Sequence, residues 1–183
     1  MHDLLAAGLH PVTEAKLRIL GIPAVLIGQV IGDAPLSAGY HAVDGQFRRS
    51  DFPELTFPDD TGAWVNYCGA VDLRPARFDL SGTEQPMTRE AVYTLVSAAS
   101  LLGLCMFFRF PLLDGTPGSW PEHIHCVDAG VKLKAALSEQ VHSFRMGLNG
   151  LVGEQPMTFF KCSQFAASII HSQWLIANGG VQQ

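Results

Sequence analysis

A chain of 183 residues, 48% hydrophobic and 16% charged, is about one domain long and carries enough apolar side chains for a sizeable core. That balance excludes a disordered chain, a collagen-like repeat and a string of small modules. A formal charge of -5, with 12 lysines and arginines scattered along the chain, leaves no basic stripe for a phosphate backbone, so nucleic acid is not an expected partner. In chain order, Thr13 reads as the cap of an N-terminal helix with Leu17 and Leu20 behind it, ended by Gly21 and Pro23. Ala24 to Ile31, rich in Val, Ile and Leu and closed by Gly32-Asp33, predicts a buried strand. Leu36 to Ala42 predicts a second, short strand, and Asp44 to Gly62 a long polar loop.

Trp64 to Leu73 alternates as a strand does, ending at Arg74-Pro75. Thr88 then caps a helix with Glu90 in its first turn; Val92, Leu95, Val96, Ala99 and Leu102 recur at helical spacing until Gly103. Leu104 to Phe110 predicts a strand, Asp114 to Pro121 a loop, and Glu122 to Asp128 a short strand on which His123 and His125 share a face. Two helical stripes follow, one through Leu133, Leu137, Val141 and Phe144, the other through Cys162, Phe165, Ala166, Ile169, Ile170 and Gln173. The order argues for an α+β fold, a small antiparallel or mixed central sheet flanked by helices. With no repeat and no linker, one domain over residues 1 to 183 is expected, its core at about 24 to 150 and a helical extension at 151 to 183.

Apolar runs such as Ala24 to Ile31 stop short of the roughly 20 residues that a membrane helix takes. Met1 to Leu9 hold His2 and Asp3 in place of a cationic segment and an apolar run, so Sec-type export is not expected. Cys68, Cys105, Cys126 and Cys162 stand apart in apolar surroundings with no C-x-x-C pair, which reads as reduced core thiols, two disulfides being the alternative.

Asp72, near the end of the apolar run Cys68 to Leu73, needs a partner, because an unpaired buried carboxylate costs several kcal/mol. A salt bridge to Arg74 or Arg77, a turn cap, or a metal ion each supplies one. The last gains weight from Glu122-His123-Ile124-His125, where two imidazoles on one strand face follow a Gly/Pro loop, as at the edge of a zinc site. Taken alone, such a pair is also compatible with hydrogen-bonded or surface imidazoles.

These segments resemble the zinc D-Ala-D-Ala carboxypeptidase family, which includes phage endolysin peptidases and shares its fold with the hedgehog signalling domain. Ala70-Val71-Asp72 matches the end of the family pattern S-x-H-x-x-G-x-A-x-D, with Gly69 one place closer to Asp72 than the family Gly. The helix closing at Gly103-Leu104 matches the middle, and Glu122 to His125 matches E-x-x-H. Where the family's first His stands, seven positions before Asp72, this chain has Val65; the nearest upstream His is His41, 31 positions from Asp72. An insertion over Asp44 to Gly62 would reconcile the two, since loop closure grows only slowly with length; His41 as an ordinary turn histidine is the other reading.

The resemblance implies Zn²⁺ on His41, Asp72 and His125, with Glu122 as general base, and hydrolysis of an amide bond in peptidoglycan stem peptides by a carboxypeptidase or endopeptidase. Two imidazoles and one carboxylate leave a coordination position open, as catalytic zinc requires. In a regular strand Glu122 and His125 point to opposite faces, so Glu122 must sit in a bend after Pro121. His123 either stabilises the oxyanion or replaces His125 as ligand, and Arg48, Arg49 and Arg109 are candidates for the cation beside the oxyanion, Arg109 foremost. Trp120 stands where it would wall the pocket. Without an export signal, a phage-encoded lysis enzyme acting in the periplasm or carried in a virion is expected. Two other readings exist: a non-catalytic structural or virion-associated protein with an eroded site, self-associating through the apolar Phe159 to Ala177, and a zinc-stabilised binding module.

Overall fold

The computed structural model describes residues 2–3, 8–30, 41–53, 55–56, 64–109, 122–150 and 155–179. Along them run β1 (His2–Asp3), α1 (Pro11–Ile19), β2 (Ile27–Gln29), β3 (Gly45–Arg48), β4 (Leu55–Thr56), β5 (Trp64–Tyr67), β6 (Ala70–Leu73), β7 (Ala76–Phe78) and β8 (Glu84–Pro86). After them come α2 (Arg89–Leu101), β9 (Leu104–Arg109), β10 (His123–Asp128), α3 (Ala135–Arg145) and α4 (Gln164–Asn178). The fold is α+β, built on a four-stranded antiparallel sheet in the order β2-β6-β10-β9. Three two-stranded ladders accompany it: β1 with β4 in parallel, and β3 with β5 and β7 with β8 antiparallel.

The register places Gln29, Asp72, His125 and Phe107 opposite one another, one residue from each of the four strands. Side chains alternate between faces along a strand, so this row shares a face. Two rungs along, His123 pairs with Arg109 on that face. Helix α3 covers it: Phe144 meets Phe107 edge to face at 5.3 Å, and both are fully buried.

Helix α2 forms as its sequence dictates. Thr88 Oγ1 accepts the Ala91 N–H at 3.2 Å; Val92, Val96 and Ala99 are buried; and Gly103 ends the turn at φ 81°. That positive φ favours glycine, and a Cβ there would also displace the end of the Gln173 side chain of α4. One core cluster runs from Leu9 and Leu17 through the sheet to Phe160 and Ile170, so the first and last helices belong to the same interior as the strands. The four cysteines are free thiols, with Cys68, Cys105 and Cys126 buried and Cys162 half-buried.

Several expectations are corrected. His10, not Thr13, caps α1: its Nδ1 accepts the Val12 N–H at 3.2 Å, and Pro11 fills the first helical position, where no N–H is needed. The Thr13 hydroxyl is buried inside the helix and donates instead to Asp128 Oδ2 at 2.7 Å. Ala24 to Leu26 form a single 3₁₀ turn behind Pro23, which leaves only Ile27 to Gln29 for the strand. The expected strand Trp64 to Leu73 is two strands in different sheets, parted at Cys68-Gly69. The expected loop from Asp44 contains β3 and β4. On α4 only Ala166 and Ile170 are buried; Phe165, placed on the inner stripe by its spacing, is 70% exposed, and Cys162 precedes the helix. The strand expected at Leu36 to Ala42 and the loop Asp114 to Pro121, with Trp120, lie wholly or mostly outside the described residues.

Candidate metal centre

Asp72 sits in the middle of the sheet row, directly opposite His125 on the neighbouring strand. Its Oδ1 is 2.8 Å from His125 Nδ1 and 3.3 Å from His41 Nε2. The two imidazoles lie 5.1 Å apart, nearly perpendicular at 72°. One donor atom from each of the three residues falls within 4.8 Å of the others. Both rings are buried, and Asp72, its side chain 21% exposed, carries what exposure the trio has. Arg74 is not the partner of Asp72; it bonds Glu84 at 2.7 Å and the Val25 carbonyl at 2.7 Å.

His41 reaches this point because the chain after it folds back. Gly45 to Arg48 pair antiparallel with Trp64 to Tyr67, so the segment after His41 lies beside the strand that leads to Asp72, and the Asp44 N–H donates to the Tyr67 carbonyl at 2.8 Å. The Asp44 carboxylate accepts the Gly69 N–H at 2.7 Å and the Lys134 N–H at 2.9 Å, fixing the His41 segment to the β5–β6 bend and to the start of α3. Gly69 permits this, since a Cβ there would strike Leu133. Val65, seven positions before Asp72, lies on β5 opposite Phe47, outside the four-stranded sheet.

The outer ring nitrogens are also held. His41 Nδ1 is 3.1 Å from the Val30 carbonyl oxygen, and His125 Nε2 is 2.8 Å from Gln140 Oε1. A carbonyl only accepts, so a hydrogen on the outer nitrogen of each ring satisfies these contacts as they stand. In that tautomer His41 Nε2, His125 Nδ1 and Asp72 Oδ1 are three lone-pair donors that a cation would join; with the ring hydrogen on Nδ1, His125 instead donates to Asp72. Tetrahedral zinc, with bonds of roughly 2.0–2.1 Å, sets its ligand atoms about 3.3 Å apart; Asp72 Oδ1 and His41 Nε2 have that spacing, while His125 Nδ1 is nearer at 2.8 Å. Outer N–H groups donating to oxygen are what orient metal-bound imidazoles.

Electrostatics fixes the charge of the carboxylate and not the ring tautomers. Burial alone would raise the Asp72 carboxyl, but hydrogen bonds and charge from His125 and His41 outweigh it and hold the group well below the usual carboxylate range. For His125 burial dominates over the pull of Asp72, and the Arg109 charge adds to it, so the imidazole lies below its ordinary value. An anionic carboxylate facing neutral imidazole is the ligand state that metal binding needs.

The remaining candidates are placed as follows. Arg109 is buried on the site's face of β9, its guanidinium 4.7 Å from the Phe107 ring and its Nη1 donating to Asn149 Oδ1. His123, half-buried, pairs with it across the ladder. Glu122 is exposed just ahead of β10, which begins at His123 and so frees Glu122 from the strand's alternation; among the described residues no hydrogen bond joins it to the trio. Arg48 is exposed and lies 4.6 Å from the Trp64 ring on the β3–β5 ladder.

Two participants escape a reading of the sequence. Gln140 had a signal: it stands between Leu137, Val141 and Phe144 on the buried stripe of α3, a polar residue where the period demands an apolar one. Asp44 had none, being one more acid in a polar stretch. No protein-family model matches the chain, and no curated protein or solved structure matches it either. Among the described residues no helix is long and apolar enough to cross a membrane.

Proposed function

We propose that His41, Asp72 and His125 hold a single divalent metal ion, zinc by ligand type, and that the chain is a metal-dependent hydrolase of amide bonds. The observation that carries this reading is the convergence of one ligand atom from each of three residues within 4.8 Å, with oxygens of Val30 and Gln140 beside the outer ring nitrogens. Bound there with a coordination position open, zinc would supply a Lewis acid that polarises a carbonyl and acidifies water. The protein's part is to place the reactants. Glu122, at the mouth of β10, takes a proton from the attacking water and returns it to the leaving amine as the C–N bond breaks. Arg109, buried on the same face, and His123 beside it offset negative charge on the tetrahedral oxygen or on a substrate carboxylate.

Substrate class follows from the resemblance of Ala70 to Asp72 and Glu122 to His125 to zinc D-Ala-D-Ala peptidases, whose hedgehog-type fold is likewise an α+β sheet: a peptidoglycan stem peptide. The test is zinc content of the purified chain, together with product release from synthetic stem peptides. One equivalent of zinc, lost in His41→Ala and Asp72→Ala, with hydrolysis abolished in Glu122→Gln, supports the reading. Full metal occupancy with no hydrolysis supports instead a zinc-stabilised binding module, which the exposure of Glu122 favours. A stably folded chain that takes up no zinc supports a non-catalytic scaffold.

A further inference from the structure

The Gln140 amide is a polar group buried against an otherwise apolar helix face, and only half of it is satisfied. Its Oε1 stands 2.8 Å from His125 Nε2, while its own Nε2 is buried with no hydrogen-bond partner among the described residues. Buried amide hydrogens are rarely left so. A half-turn about the last side-chain bond exchanges the two ends and aims an N–H at His125 Nε2.

Which end is wanted depends on where the single hydrogen of neutral His125 sits. With Nδ1 taken up by an ion, the hydrogen is on Nε2 and needs an acceptor, which Oε1 provides. With no ion, Nδ1–H donates to the Asp72 carboxylate at 2.8 Å, and Nε2 is a lone pair that needs a donor. A carboxylate serves only the first state and an alkyl side chain neither; an amide serves both. We infer that Gln140 is a positioning residue that holds His125 in either tautomer by rotating its amide. The inference rests on reading the trio as a metal centre. On ion binding the ring gives up its Nδ1 hydrogen and takes one at Nε2 from solvent, so its proton number is unchanged.

Nitrogen-15 NMR of the whole chain tests this without a variant. In the metal-free protein a coupling across the N–H···N bond between Gln140 Nε2 and His125 Nε2 is expected, and it should vanish with one equivalent of zinc. Absence of that coupling in the metal-free protein overturns the inference whether or not zinc binds. Zinc uptake that leaves the coupling intact overturns it while sparing the metal centre, whereas a chain that takes up no zinc overturns the metal centre itself. Competition with a chelator adds a second readout: Gln140→Leu should lower zinc affinity about 10–100-fold, and Gln140→Glu should not. Equal affinity in wild type and Gln140→Leu defeats the proposal.

Discussion

Asp44 and Gly69 meet through a 2.7 Å hydrogen bond between carboxylate and backbone N–H, three residues beyond His41 and three short of Asp72. The same carboxylate reaches the N–H of Lys134 at the start of α3, so one side chain ties together the segments that carry His41 and Asp72 and joins them to α3. Asp44→Ala should destabilise the chain by about 1.5–3 kcal/mol, the range for hydrogen bonds to a charged acceptor, and weaken zinc binding although no ligand is touched. Urea unfolding and chelator competition on one preparation check both; unchanged zinc affinity would show that His41 is held by other means.

The choice of ligand on β10 is open to direct test. His125 faces Asp72 across the ladder and His123 faces Arg109, so His125→Ala should abolish zinc uptake while His123→Ala retains it. Because an ion that binds only the folded chain stabilises it by mass action, zinc at 100 times its Kd should add about 2.7 kcal/mol to wild type and to His123→Ala, and nothing to His125→Ala. Melting scans with and without zinc separate the three.

His10 should make stability pH-dependent. Burial against Phe47, Phe52 and Tyr67 outweighs the pull of Asp128 and lowers its pKa from 6.5 to about 4. The unfolded chain therefore binds a proton near 6.5 that the folded chain refuses until about 4, so stability falls as pH drops through that window and is unaffected by His10 above it. His10→Asn keeps a capping side chain and does not titrate; its urea midpoint should decline less between pH 6.5 and 4 than that of wild type. Parallel declines would assign the acid sensitivity to other groups.

A buried ion pair locks α1 onto the end of β10. Asp128 is fully buried and accepts from Lys16 Nζ at 2.5 Å, from Thr13 and from the Gly130 N–H; Lys16 also donates to Gln173 of α4 at 2.8 Å. Lys16→Met leaves that carboxylate without its counter-charge and should cost about 3–5 kcal/mol. Adding Asp128→Asn to Lys16→Met should recover part of the loss, and additive losses in the double variant would argue against direct coupling.

What a reader of the sequence can see depends on whether a residue's partners are local. Thr88 and Gly103 mark α2 because cap and stop act within a turn of themselves. Asp72 and His125 stand out by residue chemistry in apolar strands, whereas nothing near His41 in the sequence announces that it joins them. Thr13 misleads because its hydroxyl is drawn to an acid 115 positions away. Trp64 to Leu73 reads as one strand because nothing in its alternation announces that Gly69 must turn beneath Leu133. Asp44 and Gln140 act only through residues distant in sequence, and no periodicity reports that.

The three donor atoms come from segments at 41, 72 and 125, with an outer partner at 140, so the centre has no local precursor. During synthesis on a ribosome an ion held by this group could not be captured until β10 and α3 had both emerged, so its uptake would be a late event, a mark that the sheet has closed.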